Sequence, residues 1–232
     1  MNIKEELIEN LEWNKNIKNK QEKEFIAKKI ALKVKDGQVI GFGSGTTSFL
    51  AAKEIGTKCE KEKLKIIAVP TSKQIELLCK YLNIKTAKID EYNIDWSFDG
   101  ADEVDSNNWL IKGQGGAMYK EKINILKSPI TYILIDKSKV VNRLGEKFPV
   151  PVECDKDKIE FVKNELIKIG AVKCEYRKDK DNNIFITEND KYIVDAYFDK
   201  IEENYEEVIR NIDGVLESGL FINYRNIQIL RS

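Results

Sequence analysis

The chain has 232 residues, enough for a substantial buried core, and its 39 basic and 39 acidic side chains balance to a formal net charge of zero. A dedicated nucleic-acid-binding protein would carry an excess of basic residues, so we expect no nucleic-acid partner. The sequence contains no histidine, which excludes the commonest general base and leaves acid–base chemistry to carboxylates and lysines.

The four cysteines are widely spaced and form none of the paired motifs of a zinc site: Cys59, Cys79, Cys154 and Cys174. We therefore expect reduced thiols and no bound metal. No apolar run is long enough to span a bilayer, and the N-terminus lacks the apolar core of a signal peptide. These features predict a cytoplasmic protein without a membrane partner.

The first 22 residues are polar, with Leu7, Ile8 and Leu11 at helical spacing. They predict either a loose amphipathic helix or a mobile extension. We interpret the basic cluster Lys15–Lys23 as a solvated helix face or a frayed terminus, because charged runs are usually solvent-exposed.

Helices and apolar strands then alternate along the chain. The predicted elements are a helix over Glu24–Val34, a strand over Gln38–Phe42, a helix through Leu50 to Ala52, a strand over Leu64–Val69, a helix over Lys73–Leu82 capped within Pro70–Ser72, and strands over Ile94–Phe98 and Ile130–Ile135. This order predicts an α/β fold with a Rossmann-like, mostly parallel sheet and helices on both faces.

Past Gly145 the pattern changes to that of a small α+β (ferredoxin-like) domain. It predicts an extended Phe148–Val152, helices over Ile159–Ile167 and Ile201–Ile209, and strands over Ala171–Glu175, Ile184–Thr187 and Tyr192–Ala196. The apolar segment Gly214–Phe221 is predicted to return to the main sheet. The predicted domains are an N-terminal extension over 1–23, a catalytic domain over 24–145 and 214–232, and the small domain over 146–213.

The glycine-rich segment Gly41–Thr47 follows a predicted strand and precedes a helix. It lacks the lysine of an ATPase phosphate loop, and Thr46 occupies the place of the third glycine of a dinucleotide fingerprint. Its amides and hydroxyls suit a phosphate monoester at a helix N-terminus. The alternative is a merely tight strand–helix turn.

Three further segments carry charged groups beside glycines: Asp99–Glu103, Lys112–Gly116 and the helix around Glu121. Taken singly, the aspartates could form an Asx turn or a helix cap, and Glu121 could be solvated helix surface. Because the carboxyl ends of parallel strands meet at one sheet edge, the four segments together indicate proton transfer on a small polar molecule.

These segments resemble type A ribose-5-phosphate isomerase in order and spacing from about residue 24 onward. The family's glycine-rich turn matches Gly41–Thr47, its Asp-Gly-Ala-Asp-Glu matches Asp99–Glu103, and its Lys-Gly-Gly-Gly-Ala segment with a glutamate nine residues beyond the lysine matches Lys112 to Glu121. Ser138-Lys139, Leu144-Gly145, Pro149–Glu153 and Gly214–Phe221 also match. The departures are Gln114 in place of a glycine, an altered turn over Thr187–Lys191 and an N-terminal extension.

The resemblance implies reversible interconversion of D-ribose 5-phosphate and D-ribulose 5-phosphate through an enediolate, with no metal and no organic cofactor. It implies Glu121 as the base, with Lys112 and the Gly113–Gly116 amides stabilising the oxyanion. Asp99 and Asp102 would hold sugar hydroxyls, and Asp99 would assist ring opening. The predicted catalytic residues are Glu121, Asp99 and Lys112, and the predicted substrate-binding residues are Ser44, Gly45, Thr46, Thr47, Asp99, Gly100, Ala101, Asp102, Lys112, Gly113, Gln114, Gly115 and Lys139.

The expected partner is therefore a pentose phosphate, and the chain is expected to form a homodimer or homotetramer. Another sugar-phosphate isomerase or a coenzyme A transferase relative on a similar sheet is the alternative among enzymes. A non-catalytic sugar-phosphate sensor is the alternative from another class. Turnover separates the sensor from an isomerase, because a sensor binds the sugar phosphate without converting it.

Overall fold

The computed structural model describes residues 17–232. The predicted helix or extension around Leu7, Ile8 and Leu11 lies outside these residues. The described chain divides into two compact units. The first comprises 17–100, Lys120–Ser138 and Asn226–Ser232, and the second comprises Ala101–Tyr119 and Lys139–Arg225. The domain limits predicted from the sequence stay a prediction.

The first unit contains a six-stranded sheet in which every neighbouring pair is parallel, as the sequence predicts. In chain order its strands are β1 (Val39–Phe42), β2 (Ile67–Pro70), β3 (Lys85–Thr86), β4 (Trp96–Gly100), β7 (Thr131–Ile135) and β13 (Ile227–Arg231). The order across the sheet is β13-β7-β4-β1-β2-β3. The central strands β1 and β4 are almost wholly buried, which is why they appear in the sequence as short apolar runs.

Helices flank this sheet: α1 (Lys20–Ala31), α2 (Gly45–Glu62), α3 (Lys73–Tyr81) and α4 (Met118–Lys127). The apolar faces of α1, α2 and α3 join the strands in one buried core that includes Ile26, Phe42, Phe49, Ile75 and Phe98. No helix within residues 17–232 is both long and apolar enough to cross a membrane.

The second unit contains a βαββαβ arrangement. Its elements are β8 (Val150–Cys154), α5 (Ile159–Lys168), β9 (Ala171–Tyr176), β10 (Tyr192–Phe198), α6 (Tyr205–Arg210) and β11 (Val215–Ser218). The sheet is antiparallel throughout, in the order β11-β8-β10-β9. This is the predicted ferredoxin-like topology. The same unit holds a small antiparallel sheet of β5 (Glu103–Val104), β6 (Leu110–Ile111) and β12 (Leu220–Phe221).

Two strand predictions are wrong. Ile184–Thr187 forms no strand and makes only an isolated bridge from Ile184 to Lys178, with Ile186 about half exposed at 53%. Gly214–Phe221 does not return to the main sheet, because β11 pairs with β8 and β12 pairs with β6. The strand that does return is β13, which pairs with β7. All four cysteines are buried free thiols, as expected.

Candidate active site

The glycine-rich turn after β1 is shorter than predicted, because α2 begins at Gly45 rather than near Leu50. Ser44 is the N-cap residue, so Thr46 and Thr47 lie in the first helical turn. The first amide groups of a helix have no partner within the helix and carry a partial positive charge. The turn therefore presents hydroxyls and backbone donors at one point.

Asp99, at the carboxyl end of β4, is only 3% exposed. Its Oδ1 atom accepts hydrogen bonds from the amide of Gly100 at 2.7 Å, the amide of Ser44 at 3.1 Å and the hydroxyl of Ser48 at 3.3 Å. A side chain at Gly43 would overlap the Asp99 carboxylate. The absence of a Cβ there lets the turn lie directly against β4 and fixes the orientation of the carboxylate.

Lys23 of α1 is buried, with 6% of its surface exposed. Its ammonium group donates a hydrogen bond to Thr46 Oγ1 at 2.9 Å. The nearby Asp136 carboxylate accepts from Asn19 Nδ2 at 3.0 Å and from the Ser138 amide at 2.9 Å. Burial would raise the pKa of Asp136, but a hydrogen bond from the Ser138 hydroxyl, the two bonds from Asn19 and the Ser138 amide, and the charge of Lys23 hold it below its ordinary value. A buried cation thus stands at the N-terminus of α2.

The sequence interpretation of Lys15–Lys23 as a solvated face is wrong for Lys23, because lysines are so seldom buried that composition favours exposure. Helical spacing carried a signal that could have identified it. The residues on the buried face of α1 repeat at intervals of three and four: Lys23, Ile26, Ala27, Ile30 and Ala31.

Glu121 lies in the first turns of α4 and is 5% exposed. Its neighbour Lys122 is 1% exposed, and Asn124, one turn further on, is 4% exposed. Asn124 Nδ2 donates to the carbonyl oxygen of Val69 at 3.0 Å, which ties α4 to β2. Glu121 therefore belongs to a buried polar face of this helix and not to a solvated one.

In the second unit, Asp102 accepts a hydrogen bond from the amide of Gln114 at 3.1 Å. Burial raises the pKa of the Asp102 carboxyl, opposed by this amide and by the positive charges of Lys139, Lys112 and Arg177. Three cations therefore act on one half-buried carboxylate within this unit.

The loop after β6 is fixed by contacts within the second unit. Arg177 Nη1 donates to the carbonyl oxygens of Gly113 at 2.6 Å and Gln114 at 2.9 Å. Gly113 has φ +98° and leaves no room for a side chain, since a Cβ would lie 2.9 Å from that of Met118. The sequence did not identify Arg177, because its role depends on contact with a loop more than 60 residues earlier in the chain.

Two of the four loop amides predicted to face a substrate donate within the protein. The Gln114 amide donates to Asp102, and the Gly116 amide donates to the Gly113 carbonyl at 3.0 Å. Lys112 is 2% exposed, and its Nζ atom lies 5.8 Å from the centre of the Phe221 ring. Among the four loop amides, those of Gly113 and Gly115 therefore remain candidate donors to a ligand.

Glu103, which ends the Asp-Gly-Ala-Asp-Glu motif, is fully buried. It accepts hydrogen bonds from three backbone amides, those of Gly145 at 2.7 Å, Phe148 at 2.7 Å and Lys147 at 2.5 Å. Glu103 therefore holds the backbone of residues 145–148 against the motif that it ends.

Lys139 is half-buried, with its Nζ atom 5.1 Å from the centre of the Phe148 ring.

The predicted site residues are divided between the two units. The first unit contains Ser44, Gly45, Thr46, Thr47, Asp99, Gly100 and Glu121, and the second contains Ala101, Asp102, Lys112, Gly113, Gln114, Gly115 and Lys139. Within the first unit the turn and Asp99 are in direct contact, and within the second Asp102 contacts the loop at Gln114. Nowhere in residues 17–232 are three or more acidic or cysteine side chains grouped so as to hold a metal ion.

A sequence profile of the family described as ribose 5-phosphate isomerase A (phosphoriboisomerase A) matches residues 67–231. The chain belongs to this family. The isomerase is 38% identical to ribose-5-phosphate isomerase A of Methanocaldococcus jannaschii, over 84% of its own length and 88% of the relative's. The resemblance drawn from the motifs is thereby confirmed.

Solved structures give the same result for the fold. The isomerase matches the structure of ribose 5-phosphate isomerase A from Methanocaldococcus jannaschii with a TM-score of 0.87 and 35% identity, covering 91% of this chain and 95% of that one. It matches a D-ribose-5-phosphate isomerase in complex with phospho-erythronic acid with a TM-score of 0.87 and 33% identity, covering 93% and 96% of the two chains.

Proposed function

We propose that this isomerase interconverts D-ribose 5-phosphate and D-ribulose 5-phosphate in the pentose phosphate pathway, with Glu121 as the general base. The observation that carries the proposal is the burial of the Glu121 carboxylate on a helix tied to β2 through Asn124. A glutamate without a role beyond solubility would face solvent. In a chain without histidine, a buried carboxylate is the natural group for proton transfer.

In this proposal Glu121 removes the proton from C2 of the open-chain aldose. The electron pair of the C–H bond forms the C1–C2 double bond, and the carbonyl pair moves to the C1 oxygen to give an enediolate. The protonated Glu121 returns a proton to C1 while the C2 oxygen becomes the carbonyl of the ketose. A proton moves between the hydroxyl oxygens to complete the exchange, and no electrons leave the substrate.

Lys112 is proposed to stabilise the negative charge that develops on the substrate oxygen. Preorganised donors in a site that excludes water contribute about 3 kcal/mol each to such a transition state. The near-complete burial of Lys112 supports this role. Because the Gln114 and Gly116 amides donate within the protein, the proposed backbone donors are narrowed to Gly113 and Gly115.

The two aspartates are proposed to bind sugar hydroxyls. Three donors hold Oδ1 of Asp99, which fixes the plane of its carboxylate for contact with the sugar and for ring opening. The raised pKa of Asp102 makes its carboxyl better able to exchange a proton with a hydroxyl partner than an exposed aspartate would be. Gly100 and Ala101 complete this segment.

The phosphate is proposed to bind at the N-terminus of α2, in the turn formed by Ser44–Thr47, where the first helical amides and the hydroxyls of Thr46 and Thr47 are the donors and Lys23 supplies a positive charge. A phosphate monoester prefers backbone donors at a helix start together with a positive charge. Lys139 stays in the proposal as a second cation. A related isomerase is described in complex with phospho-erythronic acid, and we propose that phosphorylated sugar acids bind this enzyme as well.

The test is turnover of ribose 5-phosphate, with ribulose 5-phosphate formation followed in a coupled assay. The proposal predicts conversion in both directions, and solvent deuterium in the product when the reaction runs in heavy water. Binding of ribose 5-phosphate without conversion would contradict the proposal and favour the non-catalytic sensor. Conversion of a different sugar phosphate alone would favour another isomerase on this fold.

The expected homodimer or homotetramer, the cytoplasmic location and the absence of a cofactor stay predictions. Sedimentation equilibrium at several protein concentrations measures the first. A mass equal to that of one chain at all concentrations would contradict it.

A further inference from the structure

The hydroxyl of Ser44 is directed away from the helix that it precedes. A serine at an N-cap normally accepts a hydrogen bond from an amide two or three residues later. Ser44 makes no such bond, and its Oγ lies 2.7 Å from Oγ1 of Thr71, at the end of the neighbouring strand β2. By contrast Ser72, the N-cap of α3, accepts from the Ile75 amide at 3.3 Å. Two serines in equivalent places on adjacent loops thus use their hydroxyls differently.

A count of protons gives the direction of the bond between Ser44 and Thr71. Thr71 Oγ1 also lies 3.2 Å from the carbonyl oxygen of Phe42, which can only accept. A hydroxyl has a single proton to donate. Both bonds exist together when Thr71 donates to Phe42 and Ser44 donates to Thr71.

The backbone donor of Ser44 is also engaged, since its amide donates to Oδ1 of Asp99. Both proton donors of Ser44 are therefore directed into the protein. A phosphate group at the N-terminus of α2 would therefore accept no hydrogen bond from Ser44. Its donors would instead be the first-turn amides, the hydroxyls of Thr46 and Thr47, and Lys23.

We propose that Thr71 is a positioning residue for the substrate phosphate. It binds the Ser44 hydroxyl and thereby keeps that oxygen from capping α2. The amides of Thr46 and Thr47, which a serine N-cap would otherwise occupy, are left for the phosphate. Thr71 is 1% exposed and is held by its own amide, which donates to Phe42 at 3.0 Å. The inference rests on the proposed function, because it presupposes that the phosphate binds at α2.

The central test is Thr71→Val, which retains the branched shape and removes the hydroxyl. The Phe42 carbonyl keeps its bond from the Thr71 backbone amide, so the strand end stays satisfied. Ser44 is then able to rotate and cap α2. We expect KM for ribose 5-phosphate and the Kd for inorganic phosphate to rise together by about fivefold, the factor corresponding to a helix-cap bond, with kcat unchanged.

Three further variants separate positioning from a merely structural role. Thr71→Ser restores a hydroxyl and should restore KM. Ser72→Ala removes a cap in the same loop and should lower Tm without changing KM. In a Ser44→Ala background no oxygen remains to cap α2, so Thr71→Val should have no further effect on KM. Thr71→Ala, which should raise KM as Thr71→Val does, replaces the valine variant if the latter is unfolded.

An unchanged KM and phosphate Kd in folded Thr71→Val and Thr71→Ala enzymes would overturn the inference. So would an equal effect of Thr71→Val with and without Ser44. These outcomes differ from failure of the proposed function, in which the native enzyme itself would leave ribose 5-phosphate unconverted.

Discussion

Replacing Lys23 by methionine tests whether the buried cation at α2 binds the substrate phosphate. Methionine retains most of the apolar stem that α1 buries and removes the ammonium group 2.9 Å from Thr46 Oγ1. A hydrogen bond to a charged group contributes about 1.5–3 kcal/mol, which corresponds to a rise of roughly 10- to 150-fold in KM. Because the phosphate is remote from C1 and C2, kcat should fall less than KM rises.

The assay is initial-rate kinetics with ribose 5-phosphate at several salt concentrations, accompanied by Tm to verify folding. Lys20→Met is the matched control, since Lys20 lies on the same helix with its side chain 62% exposed, 3.7 Å from Glu24. The control should retain the native KM. An equal, small change in KM in both variants would refute phosphate binding by Lys23 and indicate that this residue only packs against its neighbours.

Glu153 is buried on β8 beside Glu217, and burial together with the charge of Glu217 raises the pKa of its carboxyl. Hydrogen bonds from Thr187 and Asn189 and the charge of Lys191 oppose this rise. The free energy of unfolding is therefore unaffected by this group below its ordinary pKa of 4.5, and it falls as the pH rises from there through the raised pKa. Glutamine cannot ionise, so urea unfolding should show Glu153→Gln gaining stability relative to the native chain as the pH approaches neutrality. Lys139→Ala should raise KM for ribose 5-phosphate more than it lowers kcat. Exhaustive chelation should leave activity intact, because the proposed chemistry uses only carboxylate, lysine and backbone groups.

A stability difference between Glu153→Gln and the native chain that does not change with pH would contradict the titration. Native KM in Lys139→Ala would remove that lysine from the phosphate site. Activity lost on chelation and restored by a divalent cation would contradict the metal-free mechanism.

The sequence predicted the parallel sheet well, because buried parallel strands are short apolar runs separated by helices. It did not predict β13, in which three residues are half-buried, two are exposed and none is fully buried. Ile227–Arg231 becomes a strand by pairing with β7, almost one hundred residues earlier in the chain. Its membership in the sheet is therefore a consequence of long-range packing and not of local pattern.

The opposite error occurred at Ile184–Thr187, where alternating isoleucines suggested a strand. Ile184 and Ile186 are exposed at 37% and 53%, so the alternation does not reflect a buried face. The backbone here is engaged otherwise, since the Phe185 amide donates to the Arg177 carbonyl at 2.8 Å.

The sequence predicts the parts of the candidate site that form continuous motifs, as at Asp99–Glu103 and the glycine-rich turn. It does not identify the residues from distant parts of the chain that form hydrogen bonds with these motifs. Lys23, Thr71 and Arg177 each act on a motif segment through a hydrogen bond that only the folded chain creates. Residue type alone does not distinguish such a role from solvation, although the helical spacing of Lys23 with the buried residues of α1 does indicate that Lys23 is buried.

The central claim is that Glu121 transfers the proton, and the kcat of Glu121→Gln tests it most directly. Glutamine keeps the size of the side chain and removes the basic oxygen. We predict a loss of about 10²- to 10⁴-fold or more in kcat, with the Kd for ribose 5-phosphate near native. Glu76→Gln on α3, where the glutamate pairs with Lys80 at the surface, serves as the control and should retain native kcat. Near-native kcat in Glu121→Gln would contradict the mechanism and leave Asp99 or Asp102 as the base.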